Sequence, residues 1–390
     1  MKRKHMFMLL AVVYLSSFAS GLPTGAFASA WPDKMAYMGL LIEQASLMLI
    51  ANTALYALTS SQLGKFTRFL KLEAIDLLGI VVIAVSLLMI ALSPNFTVVV
   101  IGAALAGIGG GLVDSSLNAY LAKSFSSARY LNWLNAFWGL GPTVAPIIMV
   151  RMIALSGWRA GYVALAGIVG VSAVIVLVSL RVGLWEREER LQEEKTEANQ
   201  KKRYLTKKRH EVMEVGLFFL YGGMETSMGF WLATVLVGSR GMASTTAGMF
   251  TACFYGATVG GRLLFGTVAN RVRDITMVRF GIALSIVGLV ILLRMDSLIG
   301  AVLVGLGFAP IFPCLIHDTA NRFNPQILTR MVGHEVAAYG VGAAILSSLK
   351  GPLLSHISLE ALFPILLGMA VLICLMNEML ERSAKGQGHL

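Results

Sequence analysis

Apolar residues along this chain gather into stretches of roughly twenty or more, each bounded by a short polar connection. A segment of that length must satisfy its own backbone hydrogen bonds while it crosses about 30 Å of hydrocarbon, and an α-helix does so. The pattern predicts helices over 6–31, 36–60, 73–93, 97–122, 131–154, 160–182, 212–237, 244–269, 275–294, 297–320, 330–354 and 357–380, twelve spans in all. One connection is unlike the rest. From Trp185 to Arg209 the chain is charged, Glu-rich at first and Lys/Arg-rich later, with few apolar residues, so it reads as a solvated linker. The expected organisation is an N-terminal six-helix bundle over 1–184, a cytoplasmic linker over 185–210, and a C-terminal six-helix bundle with a short tail over 211–390.

The two halves repeat. IGAALAGIG at Ile101–Gly109 recurs as IGAVLVGLG at Ile299–Gly307, in spans four and ten. AFWGLG at Ala136–Gly141 recurs as AAYGVG at Ala337–Gly342, in spans five and eleven. LGKFTRFLK at Leu63–Lys71 and FGTVANRVR at Phe265–Arg273 occupy the corresponding junctions. Three matches at an offset of about 200 residues describe two homologous halves of parallel topology. Such halves are related by an axis along the membrane normal, with the substrate site between them near the midplane.

Composition agrees with this pattern. The chain is 56% hydrophobic and 14% charged, with a mean hydropathy of +0.74, whereas soluble proteins are about half apolar and one quarter charged. Its forty glycines suit close helix packing. The net charge of +11 does not point to nucleic acid, because the basic residues sit at span ends rather than on one soluble face. An N-terminus in the cytoplasm leaves the outer side only Lys34, Arg151, Arg159, Arg240, Arg294 and Lys350, about one basic residue in five. Both termini are therefore expected in the cytoplasm of a multi-pass cell-membrane protein. Ala28-Ser29-Ala30 imitates a signal-peptide cleavage site, but cleavage there would break the two-fold repeat. Cys253, Cys314 and Cys374 lie in apolar segments without metal-ligand spacing and read as packing residues.

At these residues the sequence resembles the major facilitator superfamily. Gly266-Thr-Val-Ala-Asn270-Arg271-Val-Arg273, preceded by Gly261-Arg262, matches that family's glycine-and-charge loop. Gly64-Lys65-Phe66-Thr67-Arg68 is a degenerate copy without the usual Asp, and Gly157-Trp158-Arg159 is a frequent signature. Within the superfamily the chain looks most like the fucose/glucose-type sugar:proton symporters. Span four, GGGLVDSSLNAYLA, follows that family's acid-then-Asn pattern with Asp114 and Asn118; span five has Asn135 where His is common. Span seven, YGGMETSMGFWLATVL, and span ten, GLGFAPIFP, are similar to its corresponding stretches. The acid that some of these symporters carry in span one is absent here. The resemblance implies an all-α membrane protein of twelve transmembrane helices in two pseudo-symmetric six-helix bundles, with a cavity lined by spans one, four, seven and ten.

An ionisable residue at bilayer depth usually faces a cavity or a partner, because a charge there is expensive. Asp114, in span four, and Glu225, in span seven, are the acids expected to bind substrate and couple protons. Burial favours a neutral acid, while a polar substrate or cation draws it back to the charged form. Asn118 lies one turn from Asp114 on the same face, able to hydrogen-bond a hydroxylated solute. Asn135 and Trp138, three residues apart, combine an amide with a ring on which a sugar's C–H face stacks. Tyr221, Tyr255, Tyr339, Glu43 and Gln44 complete the expected substrate contacts. Arg262 is expected to latch the cytoplasmic side through Asp318 or Glu335, with Gly266, Asn270 and Arg271 in the gating loop. Packing or helix-to-helix bonding is the structural alternative for each of these residues.

Gly109-Gly-Gly-Leu-Val-Asp lacks a Gly-Lys-Ser/Thr ending and lies within a span, so it is no P-loop, and ATP-driven transport is disfavoured. His317 and His334 have no ligand spacing that would make a metal site. No enzyme activity or cofactor is expected. The favoured function is secondary active transport of a small polar solute, a sugar first, coupled to protons by alternating access. Proton-driven efflux of drugs or metabolites is the alternative, and a receptor or scaffold that keeps the fold without transport is a third. A monomer with solute, protons and lipid bilayer as its partners is expected.

Overall fold

A computed structural model describes residues 2–40, 45–125, 127–185, 204–242 and 244–385. Among these, helix occupies all twelve expected intervals and no strand occurs. The first six intervals hold α1 (Lys2–Met38), α2 (Ala45–Ser61), α4 (Leu72–Ala91), α5 (Phe96–Ser124), α6 (Arg129–Ser156) and α7 (Trp158–Arg181), with a single-turn α3 (Leu63–Phe66). The last six hold α8 (Lys208–Arg240), α9 (Ser244–Val268), α10 (Asp274–Arg294), α11 (Leu298–Phe308) with α12 (Ile311–Arg322), α13 (Pro325–His356) and α14 (Leu362–Lys385). Most of the expected linker, and also Glu43 and Gln44, lie outside the described residues.

Two boundaries differ from expectation. Trp31-Pro32 looked like the end of the first span, but α1 continues as helix to Met38 and stops at Gly39, whose φ of 64° suits a residue without Cβ. The tenth span is broken into α11 and α12 around Ala309 and Pro310, where prolines at 310 and 313 supply no N–H to the helical ladder.

Eight helical segments are long and apolar enough to cross a membrane by length and composition, the joined α11–α12 among them. The described part of α2 counts as a shorter apolar helix. α8, α9 and α13 carry Glu211, Glu214, Glu225, Arg262, Glu335 and Lys350, which lower their hydropathy.

The chain forms two compact units: Met1–Ser124 with Phe137–Lys201 and Val332–Ala337, and Phe125–Ala136 with Lys202–Met331 and Ala338–Leu390. In the first, α5 packs on α2 and α4, and α7 packs on α4 and α1. In the second, α11 packs on α9 and α10, and α14 packs on α10 and α8. These pairings correspond helix for helix under the 200-residue offset.

Glycines explain why the repeat is visible in the sequence. A Cβ on Gly107 would strike the Asn52 carbonyl, and one on Gly305 the Phe254 carbonyl. Gly79 packs against the Gly109 carbonyl as Gly281 packs against that of Gly307. Gly141 meets the Phe18 carbonyl as Gly342 meets that of Phe219. Each pair is a place where two helices touch backbone to backbone, which only a missing side chain permits. The repeated motifs are therefore contact surfaces, selected by packing in both halves.

Candidate functional site

Each unit holds an acid within its helices. In the first, Asp114 lies ten residues before the end of α5, about 15 Å along the axis at 1.5 Å per residue. The Ser20 hydroxyl donates to its Oδ1 at 3.2 Å and the Tyr56 hydroxyl to its Oδ2 at 2.9 Å. Both donors are neutral, one from α1 and one from α2. One helical turn before Ser20, the Ser16 hydroxyl donates to Asp76 Oδ1 at 2.6 Å, and the Asp76 side chain is fully buried. Asn118 does not meet the acid's carboxylate: its amide donates to the Asp114 backbone carbonyl at 2.8 Å.

In the second unit, Glu225 is buried in α8 and its Oε1 accepts from Arg262 Nη2 at 2.8 Å. Its Oε2 accepts from the Tyr339 hydroxyl at 2.9 Å. The expected latch is corrected on this point. Arg262 is ion-paired to Glu225, while Asp318 is held by Arg322 one turn on, at 3.3 Å, and Glu335 is buried among residues of the first unit. Helix rotation decides this: α8 and α9 are antiparallel neighbours, which brings Arg262 beside Glu225 despite their separation in sequence.

Tyr221, an expected substrate contact, is tied into the fold in this structure. Its ring is fully buried and its hydroxyl donates to the Phe308 carbonyl at 2.8 Å, satisfying the last carbonyl of α11 at the break in span ten. Tyr221, Phe308, Phe312 and Tyr339 form an aromatic cluster with centroid separations of 5.1–6.5 Å. The Tyr255 hydroxyl packs on Gly229 of α8.

On α6, the Asn135 amide donates to Leu131 within its own helix at 2.9 Å, and half-buried Trp138 offers its carbonyl to the close approach of Gly21. Gly266 admits the Trp133 indole, whose N–H donates to the Leu263 carbonyl at 3.3 Å, and Asn270 accepts from Ser127 at 2.5 Å. The glycine-and-charge loop thus docks on the start of α6, inside the second unit. Arg271 is exposed there and lines a cavity of about 560 Å³ together with Arg273, Asp274, His317, Asp318 and Arg322.

Sequence reasoning missed Asp76, Ser16, Ser20 and Tyr56. It also missed Lys350, whose ammonium is buried and donates to Ser227 at 2.8 Å, and Lys34, which donates to Tyr162 at 3.0 Å. The ionisable residues among them carried a signal, since each lies inside or at the edge of an apolar span. The hydroxyls carried none.

The family model described as Major Facilitator Superfamily matches residues 13–316. The glucose/mannose transporter GlcP of Bacillus subtilis (strain 168) is 23% identical over 305 residues, 76% of this chain and 75% of that protein. The crystal structure of the transporter FucP in the outward conformation superposes with a TM-score of 0.74 at 15% identity, over 95% of this chain and 98% of that one. The human organic anion transporter MFSD10 (TETRAN) superposes with a TM-score of 0.75 at 14% identity, over 95% and 99%. Both structural likenesses establish the fold alone, and a fold by itself does not choose a substrate. With a helical architecture matched end to end and a family model spanning most of the sequence, this chain belongs to the Major Facilitator Superfamily, as a multi-pass membrane transporter of small molecules.

Proposed function

We propose that the chain imports a sugar or similarly hydroxylated solute together with protons, by alternating access in the cell membrane, with both termini in the cytoplasm. The observation that carries this reading is Asp114, a carboxyl group deep in a membrane helix whose hydrogen-bond partners, among the described residues, are the neutral hydroxyls of Ser20 and Tyr56. An acid in such a setting can gain and lose a proton without breaking an ion pair. The sequence relationship to a glucose/mannose transporter supports a sugar as the solute. Asp114 is the proton-coupling acid. Glu225, Tyr339 and the aromatic rings beside them supply polar and stacking contacts of the kind sugars use. Asn118, Asn135, Trp138 and Tyr255 are the secondary candidates for solute contact.

Purified protein in proteoliposomes, with radiolabelled D-glucose, L-fucose and D-mannose as probes, tests the reading. Wild-type protein is expected to concentrate at least one probe when the outside is made acidic. Asp114→Asn is expected to lose that accumulation while still exchanging labelled for unlabelled sugar. Accumulation in Asp114→Asn at the wild-type level would remove the coupling role. Failure of the wild type to move any of the probes would remove the sugar.

A further inference from the structure

Asp76 has no part in the reading above, yet its side chain is completely buried. α4 and α5 touch where Gly79, three residues after Asp76, packs on the Gly109 carbonyl and on Val113, the residue before Asp114. Ser16 and Ser20 lie one turn apart on α1, and each donates to one of the two acids. Asp76 Oδ1 accepts from Ser16, while Oδ2 is buried and, among the described residues, has no hydrogen-bond partner.

A carboxylate oxygen sealed from water without a donor is costly, whereas a carboxyl O–H at that position needs only an acceptor or a neighbouring anion. Among the described residues neither acid makes an ion pair, and their hydrogen-bond partners are hydroxyls. α7 has no ionisable side chain between Tyr162 and Arg181, the stretch of α1 facing the acids supplies Ser16 and Ser20, and α4 itself adds only Glu73 one turn earlier. In such surroundings one proton held between two neighbouring acids relieves the cost of two uncompensated charges.

We infer that Asp76 and Asp114 form a two-carboxyl proton site inside the first unit, organised by Ser16 and Ser20, in which the second acid comes from span three instead of span one. This rests on the proton-coupled reading and adds the group that shares the transported proton. One O–H bond forms on the pair when a proton arrives and one breaks when it leaves. The solute is not changed covalently.

Infrared difference spectroscopy of the purified full-length protein, with hydrogen–deuterium exchange, tests the site without any substrate. Wild-type protein at neutral pH is expected to show the carbonyl stretch of a protonated carboxyl group. That band should vanish in Asp76→Asn and move in Ser16→Ala, which removes the Asp76 hydrogen bond but leaves the acid in place. A band absent from the wild type, or unchanged in both variants, would overturn the inference. If Asp76→Asn fails to fold, Ser16→Ala alone decides. Proton-driven accumulation of labelled D-glucose is measured in parallel. Wild-type accumulation that persists in Asp76→Asn but not in Asp114→Asn would defeat the shared site alone, whereas loss of coupling in the wild type would defeat the transport reading.

Discussion

Set side by side, the two units share a scaffold but not a chemistry. Gly107 on Asn52 and Gly305 on Phe254 are the same contact made twice, and so are Gly141 on Phe18 and Gly342 on Phe219. The acids do not repeat. At the 198-residue offset that aligns spans four and ten, Asp114 corresponds to Phe312, and at the 201-residue offset that aligns spans one and seven, Glu225 corresponds to Thr24. Asp114 is held by neutral hydroxyls, whereas Glu225 is held by a guanidinium and a phenol. Duplicated packing with diverged polar residues gives two like bundles, one whose acid is held by hydroxyls and one whose acid is held by an ion pair.

That comparison can be broken most forcefully at Arg262. Arg262→Met leaves the Glu225 carboxylate buried without its counter-charge and is expected to cost about 3–5 kcal/mol. Thermal unfolding in detergent reads this, and the double variant with Glu225→Gln should recover much of the loss. A single variant as stable as wild type would show that the pair is not a buried ion pair.

The shared scaffold predicts a matched effect. Gly107→Val and Gly305→Val each drive side-chain atoms into a neighbouring backbone carbonyl, at an expected cost of about 1–3 kcal/mol apiece. Unfolding midpoints that fall for one variant and not the other would contradict the equivalence of the two halves.

A smaller asymmetry lies at the helix ends opposite the glycine-and-charge loop. Arg240 makes paired hydrogen bonds to Glu360 at 2.7 Å and a third to Asp296 at 2.6 Å, tying the end of α8 to two loops. In the first unit the equivalent position to Glu360 is Arg159, which donates to the Ser93 carbonyl at 2.9 Å and lies 4.8 Å from the Tyr37 ring centre. Arg240→Gln is expected to cost about 1–2 kcal/mol, and Arg159→Gln less than about 1 kcal/mol. Limited proteolysis at each loop would reveal the reverse order if the staples are ranked wrongly. The gentlest change is Tyr56→Phe, which removes one hydrogen bond to Asp114 and should lower stability by about 0.5–1.5 kcal/mol. The same variant should alter the pH dependence of transport more than its maximal rate.

Much of the architecture was legible in the sequence for a physical reason. Helices in lipid must be long and apolar, and close contacts must be glycine, so both leave marks in composition and spacing. Asp114 was legible because an acid inside GGGLVDSSLNAYLA is conspicuous. Its environment was not, since Ser20 and Tyr56 come from other helices and hydroxyls are common in spans. Asp76 was overlooked because it lies only four residues into α4 and so looks interfacial, but distance from a helix end says nothing about what neighbouring helices cover. Arg262 was assigned the wrong carboxylate for the same reason. Similar depth admits several partners, and only helix rotation chooses among them. The break at Pro310 had a visible cause, yet nothing in the sequence marked Tyr221 as the residue that satisfies the carbonyl there.

The broken tenth span also bears on how the protein is made. α12 carries His317, Asp318 and Arg322 into the bundle, and Arg322 is buried between Glu214 and Asn377 at 2.9 and 2.8 Å. Glu214 lies 108 residues before Arg322 and Asn377 lies 55 residues after it. When span ten leaves the ribosome, half of the arginine's surroundings has been synthesised and half has not. Its carboxylate partners Glu214 and Asp318 precede it, whereas the Asn377 amide that accepts from the same guanidinium arrives only with α14. Ribosome-bound chains that end before α14 would hold an arginine with its ion pairs available but without the Asn377 hydrogen bond.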